Sequence, residues 1–290
     1  MAGALSATPA DRARGLGGWL AAWLGGWGQL GLAITVLAVA VALLGPALSP
    51  FDPLAPSGRR LQPPTAEHWL GLDALGRDVL SRLITGTQIS IAVGIAATLL
   101  AFALGAGIGL LACAIGGPVA GLFLGAMDLL RTLPSILLAL VLVAAIGTGT
   151  GPVTFALGLA FAPVFARVAR AGYLREMGAG YVTAARGLGA SRVRLVLVHA
   201  APNLVGPLLT QAAIILPRVI TKEAVLSFFG VGAAPEAPTW GRLIAEGTRF
   251  VERAPHLVLA PVLALAVVTL GLSLLGDATR RRLDPNRVAG

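Results

Sequence analysis

The chain has 290 residues, 56% of them hydrophobic and 12% charged, which is about half the charged share of an average soluble domain. With a mean hydropathy of +0.84 there is too little polar sequence to clothe a soluble surface, so an ordinary soluble enzyme is excluded and a polytopic membrane protein is expected. The net charge of +9 comes from arginines and a single lysine, Lys222, against 13 acids. In a membrane protein such a surplus records orientation rather than nucleic-acid binding, because basic residues stay on the cytoplasmic side. Cys113 is the only cysteine, which rules out an intrachain disulfide and any cysteine-based zinc or iron-sulfur site.

In chain order, residues 1–29 read as a cytoplasmic or interfacial segment. Arg12 and Arg14 precede an apolar run that is too long for the core of a secretion signal and leads into more membrane. Trp19, Trp23 and Trp27 recur every four residues and share one helical face. They suit either an amphipathic interfacial helix or an extension of the first span with aromatic-belt residues. A crossing helix needs roughly 20 apolar residues, and charge-free stretches at 15–51, 83–127, 132–166 and 254–276, with the weakly charged run 204–229, supply them. Six spans follow: 30–48, 89–115, 119–146, 152–170, 204–229 and 255–275. Gly116, Gly117 and Pro118 make a tight turn between the second and third.

Placing the N-terminus inside puts twelve arginines on the cytoplasmic side (Arg12, Arg14, Arg167, Arg170, Arg175, Arg186, Arg192, Arg194, Arg280, Arg281, Arg282 and Arg287) against Asp11, Glu176, Asp277 and Asp284. The two charged outer loops each sum to zero. Both termini are therefore expected in the cytoplasm of an all-α protein. Gly105, Gly107, Gly109, Gly121, Gly125 and Gly158 provide small-residue faces for close helix packing.

Charges within the spans are candidates for a transport pathway, because an ionisable side chain at membrane depth is costly and usually faces protein or water. Asp128 and Arg131 are three apart, hence on one helical face, with Pro134 one turn on to kink the helix. They are expected to form a structural pair near the cytoplasmic end, with substrate contact as the alternative. Glu223, beside Lys222 and one turn after Arg218, is expected to pair with Arg218 or a partner subunit, to line the pathway, or to snorkel to the interface.

The most informative segment is the cytoplasmic loop 171–203, AGYLREMGAGYVTAARGLGASRVRLVLVHAAPN. It reads as two short helices about a small-residue elbow, with Gly187 and Gly189 ending the first, Ser191 capping the second and Pro202 marking the return to the membrane. Ala184, Ala185, Gly187, Gly189 and Ala190 form a knob with almost no side-chain bulk, which another protein's backbone could approach closely.

Here the sequence resembles the permease subunits of type I ABC importers. Their loop signature is Glu-Ala-Ala, three residues, Gly, nine residues, then Ile-x-Leu-Pro; this chain has Thr183, Ala184, Ala185, Gly189, His199, Ala201 and Pro202 there. Thr183 replaces the glutamate, and His199 and Ala201 the aliphatic pair. The dipeptide, oligopeptide and nickel branch is further resembled by LGPALSPFDP at 44–53, HWLGLDALGRDVLSRLITGTQIS at 68–90 and KEAVLSFFGVG at 222–232, followed by Pro235, Pro238, Trp240 and Gly241.

The resemblance implies a type I importer architecture with four segments: the N-terminal segment 1–29, a first span and periplasmic loop at 30–86, the transmembrane domain at 87–276, and a cytoplasmic tail at 277–290. It assigns ATPase docking to Tyr181, Val182, Thr183, Ala184, Ala185, Arg186, Gly187, Leu188, Gly189 and Ala190, and favours a periplasmic gate role for Glu223. It also implies a homologous second permease, two ATPase subunits and an extracytoplasmic solute-binding protein around this chain in the bacterial inner membrane, with ATP and Mg bound by the ATPases. No phosphate-binding loop, nucleophile elbow or HExxH motif occurs, so no catalysis and no cofactor are expected in this chain. His68, His199 and His256 are too scattered for a nickel site. The expected function is ATP-driven import of peptides or related small solutes by alternating access. The alternatives are an ion-gradient-driven secondary transporter using Asp128 and Glu223 as coupling carboxylates and, third, an intramembrane enzyme.

Overall fold

Apolar segments cut off from water must satisfy their backbone hydrogen bonds internally, and in the computed structural model they do so as helices. The structure describes residues 16–232 and 236–283. Arg12, Arg14, Asp11, Pro235, Asp284 and Arg287 lie outside the described residues. The helices are α1 (Leu16–Leu48), α2 (Val79–Ile115), α3 (Gly117–Thr132), α4 (Ser135–Ile146), α5 (Thr150–Met177), α6 (Gly180–Gly187), α7 (Arg192–Phe228), α8 (Trp240–Thr248) and α9 (His256–Leu283). Five of them are long and apolar enough to cross a membrane, and α3 and α4 reach that length and apolarity only together, as a bent pair.

Several expected boundaries are corrected. In α1 the backbone breaks at Gly25, whose φ of 72° suits glycine, and the apolar span proper is Gly25–Gly45. The segment with Trp19 and Trp23 is thus set off from the crossing, whereas Trp27 lies within it. Helix α2 begins ten residues before the expected 89, because Asp78 accepts the Ser81 amide at 2.8 Å and caps it. The expected continuous span 119–146 is bent by 99° between α3 and α4. Proline drives its predecessor out of the helical region, and Leu133 is indeed extended, with ψ at 137°. Helix α7 does not start after Pro202 but runs through it. Leu195–Ala200 winds as a π-helix, and Pro202 falls at the start of the α-helical part, where its missing N–H costs little. Helices α5 and α9 likewise extend past the expected ends at 170 and 275.

Helices α2, α5 and α7 form the centre, with Ala97, Ala101, Leu157, Phe165, Leu204 and Ile215 buried among them. Gly105 and Gly109 allow α2 to lie on α5: a Cβ at Gly105 would stand 2.0 Å from the Ala162 carbonyl oxygen. Gly107, Gly121 and Gly125, expected to serve the same purpose, face open space instead. Helices α1 and α9 pack together and close over α2 and α7 through Ala38, Ala42, Ile91, Ile220 and Val268.

The outer end is a built cap. Residues 49–78 fold without regular elements, pinned by isolated bridges Pro56 to Arg77 and Leu72 to Asp78. Buried Asp78 also accepts from the Ser81 hydroxyl and contacts His68 Nδ1 at 3.0 Å. Trp240 of α8 is wholly buried, its indole N–H reaching Thr87 Oγ1 at 3.3 Å. A Cβ at Gly241 would stand 1.9 Å from the Ala224 carbonyl oxygen. The KEAVLSFFGVG to Trp240–Gly241 stretch is therefore the contact by which α8 folds back on α7 and α2.

Candidate functional site

The knob read in the cytoplasmic loop is α6 and the turn after it. Val182 is the one fully buried residue of α6, while Tyr181, Thr183, Ala184, Arg186, Gly187, Leu188 and Gly189 are exposed and Ala185 and Ala190 half-buried. Leu188 is 90% exposed, an apolar side chain held off the protein at the tip of the loop. The chain turns there because Gly189 adopts φ +85°, a conformation that side chains disfavour, and Ser191 Oγ then accepts the Arg194 amide to start α7. The expected elbow, glycine stop and serine cap are all present.

Two residues the sequence reading passed over hold this knob. Glu176, at the end of α5, accepts a short hydrogen bond from the Tyr181 hydroxyl. Asn203 of α7 donates to Glu176 Oε2 at 2.9 Å and to the Tyr181 oxygen at 3.0 Å. Tyr181 also leans on His199, ring centroids 5.8 Å apart. The hydrogen bond to the Glu176 carboxylate pushes the Tyr181 phenol above its ordinary range. One phenol on α6 thus touches the end of α5 and, through His199 and Asn203, the first third of α7. The signal in the sequence was a glutamate and an asparagine flanking the loop.

The intramembrane charges are arranged otherwise than expected. Asp128 pairs with Arg167 of α5 at 2.9 Å, not with Arg131, which has no carboxylate partner among the described residues. Three-residue spacing puts Asp128 and Arg131 on one face, but α5 lies against α3 and offers a closer guanidinium. Arg167 lies within α5, as do Arg170, Arg175 and Glu176. Asp128 and Arg167 are 56% and 60% exposed, and Pro134 lies at the bend just beyond. Arg218 is exposed in a groove of about 590 Å³ between α7 and α9, with Thr221, Thr269, Ser273 and Asp277.

Glu223 neither pairs with Arg218 nor snorkels. It is wholly buried; Ser227 Oγ donates to Oε1 at 2.7 Å, and Oε2 has no hydrogen-bond partner among the described residues. It belongs to the packed joint between α7, α2 and α8. Among the described residues no cluster of three potential metal ligands occurs.

The outer loops conceal an ion cluster that their zero net charge did not reveal. Asp73 accepts from Arg77 Nε at 2.8 Å and closely from Arg82 Nη1. Glu246 of α8 accepts from Arg77 at 3.2 Å, Arg82 at 2.9 Å and Arg242 at 2.9 Å. Burial acts to raise both carboxyls, but the Arg77 amide, the Arg82 charge and the Leu75 amide hold Asp73 below the usual carboxylate range. The Arg82 charge and Arg242 do the same for Glu246. The equal numbers of acids and arginines in these loops were the available signal.

The comparisons with known proteins agree with this geometry. Residues 101–288 match the family model for the binding-protein-dependent transport system inner membrane component. The chain is 36% identical over 262 residues to the di/tripeptide transport system permease protein DppC of Pseudomonas aeruginosa, covering 88% of this chain and 86% of that one. It is 39% identical over 263 residues to the dipeptide transport system permease protein DppC of Escherichia coli K12, covering 88% of each. A putative peptide transport system permease protein of Brucella suis is 37% identical, covering 89% of this chain and 87% of that one. The fold resembles a chain of the inward-facing MetNI methionine ABC transporter at a TM-score of 0.58 and 18% identity, covering 70% of this chain and 96% of that one. The chain belongs to the family of inner-membrane components of binding-protein-dependent transport systems, non-catalytic permease subunits that work with ATPase subunits and a solute-binding protein.

Proposed function

We propose that the chain is one of two homologous permease subunits of a peptide importer, working with two ATPase subunits and an extracytoplasmic solute-binding protein, with residues 171–203 as the coupling loop of a transmembrane domain at 87–276. Dipeptides and short oligopeptides are the cargo class, on the strength of relatives 36% to 39% identical over most of their length. The observation that carries the coupling role is α6: an exposed knob fixed to the end of α5 and the first third of α7 by Tyr181, Glu176 and Asn203. A motor subunit holding Leu188 and the small residues around it would move α5 and α7 together. Replacement of the family glutamate by Thr183 removes one polar contact from that face and leaves its shape.

The exposed Asp128–Arg167 pair and Arg218 lie on faces that a second permease or a water-filled path would cover, since exposure to lipid would be costly. Glu223 then acts from inside the packed outer joint rather than as a lining charge. The test is Gly189→Arg in the assembled complex. Side chains strain the φ of +85° at this position, and the arginine would block close approach. ATPase co-purification and ATP-dependent peptide uptake should both be lost while membrane insertion is unchanged. Normal uptake by this variant would overturn the coupling assignment.

A further inference from the structure

At the outer end a cleft of about 600 Å³ opens between the start of α2, the end of α7 and α8, a volume suited to a small molecule. Its charged lining is Arg77, Arg82, Arg242 and Arg249 against Asp73, Glu236 and Glu246, one positive charge in excess. The guanidinium of Arg82 is the unusual member. Its side chain is 1% exposed, and Nη1 is held by both Asp73 and Glu246. Yet Nε and Nη2 are buried without a hydrogen-bond partner among the described residues. Those two atoms form the side-on edge of the guanidinium, the pair of parallel donors that matches a carboxylate. Leaving buried donors of a charged group unmet is costly, and neither nearby carboxylate is placed to meet them. The same cleft is lined by Phe228, Phe229, Leu243, Phe250 and Leu257, apolar surface in the cleft that Arg82 also lines.

We propose that this cleft is a cargo site, in which the terminal carboxylate of a peptide binds side-on to Arg82 Nε and Nη2 while its last side chain lies against Phe228, Phe229 and Phe250. The inference rests on the peptide-import reading and names the place and the group by which the permease itself meets the cargo. The Arg82 edge is closed off from bulk water in this conformation, so it becomes usable when the cleft widens in the transport cycle. Asp73 and Glu246 hold Nη1 and leave the other edge to the ligand.

The test uses the full complex with its ATPases and binding protein in proteoliposomes, supplied with alanyl-benzoylphenylalanine or its C-terminal carboxamide and irradiated during turnover. Labelling of the binding protein in the same sample serves as the reference. The free acid should label the segments holding Phe228, Phe229 or Phe250 about tenfold more than the amide, the factor expected for losing a charge-assisted hydrogen bond. Arg82→Gln should remove that preference; if this variant fails to assemble, the acid and amide comparison on the unaltered complex decides alone. Equal labelling by acid and amide would overturn the carboxylate contact with Arg82, and protection of the cleft by peptide-free binding protein would overturn the cargo site by giving the cleft to the binding protein. Uptake without cleft labelling overturns this inference while peptide import stands. Absence of ATP-dependent uptake of both probes and of alanyl-phenylalanine overturns the import reading as well.

Discussion

The two ends of the molecule are built on opposite plans. At the outer end α8 is folded onto α7 and α2 through a buried tryptophan, close backbone approaches at Gly241 and Gly86, and carboxylates shared among three arginines. At the cytoplasmic end α6 is held by one buried valine and one phenol, and its tip carries an apolar residue in the open. The first arrangement keeps its shape by its own packing and ion pairs, with Arg82 Nε and Nη2 and Glu223 Oε2 left unmet among the described residues. The second leaves apolar and small residues uncovered, which is the condition of a surface completed by another protein. The proposed importer would use both: an outer frame that holds its own shape and an inner surface completed by a partner subunit.

The contrast breaks most readily at the outer frame. Gly241→Val puts side-chain carbon within 1.9 Å of the Ala224 carbonyl oxygen, and α8 must then separate from α7. The expected loss is about 3 kcal/mol, read as a lower thermal unfolding midpoint of the detergent-purified protein; an unchanged midpoint would show that the outer end is not a fixed block. Asp73→Asn removes an 11% exposed partner of Arg77 and Arg82 and should cost about 2–3 kcal/mol.

The same cluster sets an acid limit. Asp73 and Glu246 are both held below their ordinary values, so their stabilisation is complete above the unfolded carboxylate range of about pH 4. It is lost as pH falls through their folded values. Unfolding midpoints measured from pH 7 to pH 3 should drop at the acid end, and by less in Asp73→Asn. A drop of equal size in the variant would remove Asp73 from the explanation.

Smaller effects sharpen the inner end. Leu188→Ser should leave the isolated protein's midpoint unchanged, because a 90% exposed side chain has little burial to lose. Affinity for the ATPase subunits should nevertheless weaken about tenfold, the size expected for losing a leucine from an interface. Unchanged affinity would remove Leu188 from the docking surface. The smallest effect concerns Asp128 and Arg167: a double-mutant cycle with Asp128→Asn and Arg167→Gln should give a coupling below about 1 kcal/mol in the isolated chain, as for exposed pairs. The coupling should rise in the assembled complex if the second permease covers the pair, and a value unchanged on assembly would leave that face uncovered.

The coupling elbow was legible because its determinants are local: glycine at a left-handed turn, serine three residues before an unpaired amide, small residues between. The start of α2 was legible in principle, since Asp78 directly before an apolar run is a helix-capping pattern, but Arg82 four residues on looked like a loop charge. It is helical because Asp73 and Glu246 neutralise it, and Glu246 lies 164 positions away. Asp128 shows the same limit, because spacing along one helix cannot announce Arg167 on another, 39 positions on.

Composition and hydropathy alone determined that the chain lives in a membrane as helices, because the bilayer leaves an apolar backbone no other way to satisfy its amides. The distribution of arginines gave the expected cytoplasmic side, and short-range turn chemistry determined where the exposed knob stands. Tertiary structure decided the partners of Asp73, Asp128 and Glu246, the depth of Glu223 and the free edge of Arg82. Electrostatic pairing is fixed by distance across packed helices, and that distance is set by the joint fit of side chains from distant parts of the chain.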